Sequence, residues 1–119
     1  MANDRRTRCV FCRIVDGGLP SKPVFQDDHV FAFHDVNPQA PVHVLVVPRR
    51  HIATLNDLTP EEDALVGRLV RCATRIAQDL SHGAGGYRLV WNCGADAGQS
   101  VFHVHLHLLA GRRMGWPPG

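Results

Sequence analysis

At 119 residues with 45% hydrophobic content, the chain is long enough to bury one real core and too short for two domains of ordinary size. Its formal charge is only +2, which does not demand a nucleic acid, and no apolar run approaches the length that spans a membrane. Four cysteines behind an N-terminus without the apolar stretch of an export signal are expected to be reduced, which predicts a cytoplasmic setting.

In chain order, residues 1–8 carry Arg5, Arg6 and Arg8 and read as a flexible start, with a single domain over 9–119. Cys9-Val10-Phe11-Cys12 is a C-x-x-C, predicted on a short helix over 9–16 that the pair Gly17-Gly18 stops. Such a pair can be half of a zinc site, a redox pair or two buried thiols. Val24-Phe25-Gln26 and His29–His34 flank Asp27-Asp28 as a hairpin. Val30, Ala32 and His34 would share one face of the second strand, and His29, Phe31 and Phe33 the other. Asp35 opens a loop broken by Pro38 and Pro41, where a turn-forming carboxylate is the simplest reading.

Val42–Val47, ending at Pro48, is nearly all apolar and reads as a buried central strand that His43 interrupts. His51 beyond it reads as an exposed loop histidine or a metal ligand. Thr59-Pro60-Glu61-Glu62 is a capping box with proline at the first helical position. Leu65, Leu69, Cys72, Ile76 and Leu80 follow at helical spacing, with Val66, Ala73 and Ala77 widening the stripe, which predicts one amphipathic helix over 60–81. His82 to Gly86 would end it. Tyr87–Asn92 is a further strand, with Asn92 a candidate polar contact and Cys93 incidental.

The most informative stretch is Gly98–Leu109. His103, His105 and His107 alternate with Phe102, Val104, Leu106 and Leu108. On a strand the imidazoles would stand in a row on one face and the apolar residues would bury the other. The short Gly98-Gln99-Ser100 turn before it offers backbone N–H groups to an anion. An anion site beside imidazoles favours phosphorus chemistry over an open catalytic metal on the three histidines.

His103-Val104-His105-Leu106-His107-Leu108-Leu109 resembles the signature of the histidine triad superfamily. Phe33-His34-Asp35, Pro38-Gln39-Ala40-Pro41, His43, Pro48-x-x-His51-Ile52, Asn92, Gly98-Gln99-Ser100-Val101 and Trp116-Pro117-Pro118-Gly119 resemble its nucleotide-binding (Hint) branch. The resemblance implies an α+β fold: a five-stranded antiparallel sheet with one long helix and a short N-terminal helix, in a homodimer whose sheets join. It implies hydrolysis of purine nucleoside phosphoramidates, with purine nucleoside monophosphates as ligands and neither nucleic acid nor membrane as partner. An AMP- or GMP-binding sensor with little turnover, or a dinucleoside polyphosphate hydrolase, is the alternative.

By the same resemblance His105 is the nucleophile, His107 contacts the phosphate, His43 supports the cluster, and Gln99 and Ser100 form the phosphate-side loop. Gly98, Val101 and Asn92 lie around that loop. Asp35 becomes the ribose-hydroxyl acceptor, flanked by His34 and Val36, and Trp116 reaches the partner protomer's site near the leaving group. Animal Hint proteins generally lack the cysteine pair; a bacterial subset has it and binds zinc with it. Carried over, the ligands of a structural zinc are Cys9, Cys12, His51 and His103.

Overall fold

The computed structural model describes residues 8–80 and 85–119; the expectations for residues 1–7 and for His82-Gly83-Ala84 lie outside them. Five strands form one antiparallel sheet: β1 (Pro23–Gln26), β2 (Val30–His34), β3 (Val42–Pro48), β4 (Tyr87–Trp91) and β5 (Leu106–Ala110). Their order is β1-β2-β3-β5-β4, so β3 and β5 are central and β4 closes one edge. Among the described residues two α-helices complete the fold, α1 (Val10–Val15) and α2 (Asp63–Asp79).

Alternation sorts the side chains onto two faces. Val30 and Ala32 of β2, Val42, Val44 and Val46 of β3, and Leu106, Leu108 and Ala110 of β5 pack on Leu69, Ala73, Ile76 and Ala77 of α2. This is the face the helical stripe predicts. Thr59 and Glu62 form the expected capping box, but the first turn, Pro60–Glu62, is 3₁₀ and the α-helix proper begins at Asp63. On the opposite face Phe31, Phe33, Leu45 and Val47 pack with Phe11 and Val15 of α1. β3 is buried along its whole length because both faces are covered.

The histidine strand is shorter than its alternation predicts. The β3–β5 ladder ends at Val46↔Leu106, and residues 100–105 leave the sheet. The physical reason is Pro48, which has no N–H to extend the ladder. Its carbonyl accepts from His103 Nε2 at 2.8 Å, and Val104 N–H donates instead to the Ile52 carbonyl at 2.7 Å. Phe102, expected on the buried face, is 51% exposed as a result. His103 accordingly does not stand in a row with His105 and His107.

Gly111 closes the turn after β5 with φ +91°, and a Cβ there would sit 2.9 Å from the Pro41 Cβ. The next residue, Arg112, donates from Nε to the Gln39 carbonyl at 3.0 Å, so this turn holds the Pro38–Pro41 loop. Gly111→Ala is expected to cost about 2 kcal/mol, from the left-handed backbone and the clash together. A lowered urea midpoint with an unchanged m-value checks it.

Candidate active site and metal centre

Diagonal neighbours across β3 and β5 bring two imidazoles together. His43 pairs with Leu109 and Leu45 with His107, so His43 and His107 lie two residues apart on one face. His43 Nε2 and His107 Nδ1 are 2.9 Å apart. The Gln39 backbone N–H donates to His43 Nδ1 at 3.0 Å. That donor fixes the proton positions in the chain. His43 Nδ1 must carry a lone pair, so its single proton sits on Nε2 and points at His107 Nδ1. His107 then carries its own proton on Nε2.

His105 is set the opposite way round. Its Nδ1–H donates to the His103 carbonyl at 2.8 Å, which leaves Nε2 with a lone pair. Its ring lies 5.0 Å from that of His107 and 5.0 Å edge-on from that of Phe11. One imidazole therefore offers a nucleophilic nitrogen and its neighbour an N–H.

Burial holds these rings neutral. It pushes His105 below the ordinary imidazole value, against the raising effect of the bond to the His103 carbonyl and of Asp35. It does the same to His43, with Asp35 opposing. His107 is pushed down to about 4, by burial first and then by His105 and His43. A folded state that holds His107 neutral binds fewer protons than the unfolded chain between about 4 and 6.5. Stability is therefore full above 6.5 and falls as the pH drops toward 4. Allowing for solvent around a partly exposed ring, about 1 kcal/mol is expected from His107 over this window. Urea titrations at the two ends, beside His107→Gln, check it: the variant should show the shallower loss.

Asp35 accepts from the Asn37 N–H at 2.9 Å through Oδ1, the turn its sequence suggests, and its Oδ2 lies 3.4 Å from His43 Nε2. Asp35, His43 and His107 thus gather three potential ligand atoms. The Gln39 N–H argues against a metal there, because His43 Nε2 would have to lose its only proton to coordinate one. The cluster is better described as a hydrogen-bonded relay.

The loop from β4 to β5 borders the relay. Asn92 Nδ2 donates to the Ala97 carbonyl at 2.7 Å, and Gly98 turns the chain with φ +83°. The Gln99 side chain is buried and fully engaged. It accepts from Gly94 N–H at 2.9 Å and donates to the Ala53 and Val101 carbonyls at 2.8 and 3.1 Å. Its side chain is therefore a brace, and Ser100 beyond it is exposed. His34 and Val36 are also exposed, Val101 is half-buried, and Trp116 is 83% exposed on the C-terminal tail.

A second cluster lies on the other side of His105. Cys9 caps α1 and Cys12 stands three residues on, so both sulfurs face the same way, and the Cys12 N–H donates to Cys9 Sγ at 3.4 Å. His103 Nδ1 lies 3.3 Å from Cys9 Sγ and 3.4 Å from Cys12 Sγ, and His51 Nδ1 lies 3.3 Å from Cys12 Sγ. Arg50 and Glu62 pair at 3.1 Å and steady the segment that carries His51. All four ligand atoms lie within 4.8 Å of one another. A tetrahedral zinc with ordinary bond lengths needs sulfur and nitrogen about 3.5 Å apart, which these distances match. His103 Nε2–H is held by the Pro48 carbonyl, so its Nδ1 lone pair must face the thiols, the outer-shell arrangement a metal-binding imidazole needs. The four residues can hold a metal ion. His103, His105 and His107 do not form such a group among the described residues.

Sequence reasoning missed three contributors. Phe11 packs against His105, and its place inside the cysteine pair was the only clue. The Gln39 N–H and the His103 carbonyl are main-chain groups with no side-chain signature.

A family model described as HIT domain matches residues 17–114. The sequence is 42% identical over 106 residues to a purine nucleoside phosphoramidase of Escherichia coli, covering 89% of each chain. Among solved structures, a HIT family hydrolase from Legionella pneumophila superposes with a TM-score of 0.93 at 46% identity, covering 94% of this chain and 100% of that one. A Zn-bound histidine triad family protein from Mycobacterium smegmatis superposes with a TM-score of 0.77 at 33% identity, covering 96% of this chain and 81% of that one.

Proposed function

The chain belongs to the HIT domain family, and on that premise we propose that it hydrolyses purine nucleoside phosphoramidates through a transient nucleotidyl–His105. The observation that carries this reading is the opposed proton placement on neighbouring rings: a lone pair on His105 Nε2 and an N–H on His107 Nε2. His105 Nε2 attacks phosphorus, the P–N bond breaks, and the leaving nitrogen takes a proton from solvent so that a neutral amine departs. Water then cleaves the phosphorus–histidine bond and restores the ring. His107 Nε2–H, the Ser100 side chain and the backbone N–H groups of Ser100 and Val101 meet the charge on the phosphoryl oxygens; those of Gly98 and Gln99 are spent on the Ala95 and Gly94 carbonyls. His43 keeps His107 in the donor tautomer. The nucleoside would lie along His34, Asp35, Val36 and Asn92, with Asp35 accepting from the ribose hydroxyls.

Cys9, Cys12, His51 and His103 would hold zinc, whose contribution when bound is structural, pinning α1 beside the histidine segment. The similarity to the Zn-bound M. smegmatis protein supports that ion. A homodimer with joined sheets fits an exposed edge at β4 and a tail whose Trp116 is open to a partner. A cytoplasmic setting belongs to this reading; no described helix is long and apolar enough to cross a membrane.

The test is hydrolysis of adenosine 5′-phosphoramidate and of an AMP–lysine phosphoramidate, with and without chelator. Turnover that persists after chelation supports chemistry on His105. Complete loss on chelation at a temperature where the chelated protein is still folded by circular dichroism, restored by zinc, would move the reaction onto a metal and overturn the reading. AMP binding without turnover would leave a nucleotide-binding module.

A further inference from the structure

The cysteine pair is joined to His105 by two routes. His103, whose Nδ1 faces both sulfurs, uses its backbone carbonyl to hold the His105 Nδ1–H. Phe11, which stands between the two cysteines, lays its ring edge-on against the His105 ring at 5.0 Å and against Phe33 at 5.5 Å. A change at the sulfurs therefore moves both the hydrogen-bond partner and the packing surface of the same imidazole.

The pair is also built for oxidation. A helix cap and the residue three positions on bring their sulfurs within 4.8 Å of each other. Cys12 is fully buried, whereas Cys9 is part-exposed and lines a cleft of about 380 Å³ with Arg8, Val10, His51 and Ser100. One sulfur is reachable from outside and the other waits behind it, the arrangement of an attacked and a resolving thiol.

We infer that Cys9 and Cys12 are a reversible two-electron oxidation site whose disulfide expels the metal and slackens His105. The inference rests on the zinc and hydrolase readings above. A hydroperoxide is the oxidant. The Cys9 thiolate attacks its outer oxygen, the O–O bond breaks, and Cys9 becomes a sulfenic acid while the peroxide leaves as alcohol or water. The Cys12 thiol then attacks that sulfur, the S–O bond breaks, and water leaves as the disulfide forms. Two electrons pass from the sulfurs to the peroxide.

Metal loss alone is a smaller change than oxidation. Protonated thiols can still hydrogen-bond to His103 and His51 Nδ1 at the observed distances, whereas a disulfide has neither a thiolate nor an S–H. The buried His103 Nδ1 then loses its contacts to the two sulfurs, and its ring, still tied at Nε2 to the Pro48 carbonyl, is anchored on one side only where its carbonyl holds His105.

The experiment uses zinc-loaded full-length protein carrying Cys72→Ala and Cys93→Ala, so that only the pair can react. Hydrogen peroxide is titrated in while a metallochromic dye reads released zinc, mass spectrometry reads the loss of two hydrogens from the Cys9–Cys12 peptide, and NMR follows the His105 ring. One metal is expected per disulfide, with the His105 signals shifted. kcat should fall about tenfold or more at little change in KM, and dithiothreitol with zinc should reverse it. Cys9→His keeps four ligands but cannot form the disulfide, and its rate should not respond to peroxide relative to its own untreated value. Zinc retained after the disulfide forms, an unmoved His105 ring, or an equal peroxide response in Cys9→His would overturn the inference. The metal, mass and NMR readouts stand without turnover, so an inactive protein would count against the hydrolase reading alone.

Discussion

His105→Asn is expected to lower phosphoramidate turnover by at least about a thousandfold while leaving AMP binding within a fewfold of the parent. Asparagine can keep the bond to the His103 carbonyl through its amide N–H, so the local main chain has no reason to move. What disappears is the nitrogen lone pair aimed out of the site, and no neighbour can replace it. His107 presents a proton in that direction, and His43 is buried with both ring nitrogens engaged. Because the loss falls on chemistry and not on ligand contacts, kcat should carry it. Single-turnover assays beside AMP titrations separate the two. A variant that binds AMP yet retains a tenth of the parent rate would mean that another group attacks phosphorus.

The second large effect is on stability. Cys12→Ala removes a fully buried thiol of the proposed zinc site that stands between His51 and His103. With three ligands left the metal is held far more weakly, and binding free energy that had been folding free energy is forfeited. His51 and His103 also lose a shared sulfur, and the small cavity adds its own penalty. Together about 3 kcal/mol or more is expected, which for a domain of this size lowers Tm by roughly 10–15 °C. Thermal melts of the parent with and without chelator provide the comparison: chelated parent should fall most of the way toward the variant. Coincident melts for parent, chelated parent and variant would show that the metal does not contribute to folding.

The legibility of this chain follows the physics of its signals. Alternation at Val30–Phe33 assigns residues to faces correctly because both faces of that strand are covered, and the apolar run Val42–Val47 reads as a buried central strand for the same reason. The Thr59–Glu62 box places the helix start to within a turn. The row of three histidines is misread by the same rule, since alternation holds only while the ladder holds, and the ladder stops where Pro48 has no N–H to give. Gln99 reads as a phosphate-side residue by resemblance, yet its side chain is spent on three main-chain partners. His43 was expected beside the cluster by resemblance, but the Gln39 N–H that sets the relay's proton positions was not legible. The relay depends on a backbone donor delivered by a loop whose shape is set by Pro38, Pro41 and the Arg112 contact from another part of the chain.

That relay has a consequence for how the site tolerates change. The atom that decides where the proton sits belongs to the peptide unit and not to a side chain. Nearly any amino acid at position 39 would wire the imidazoles identically, and only proline, lacking the donor, would cut the wire. Transplanting the chemistry to another scaffold would then require copying a loop trajectory as faithfully as the histidines. A screen of substitutions at position 39 should look permissive, although the position is as close to the proton inventory as any in the molecule.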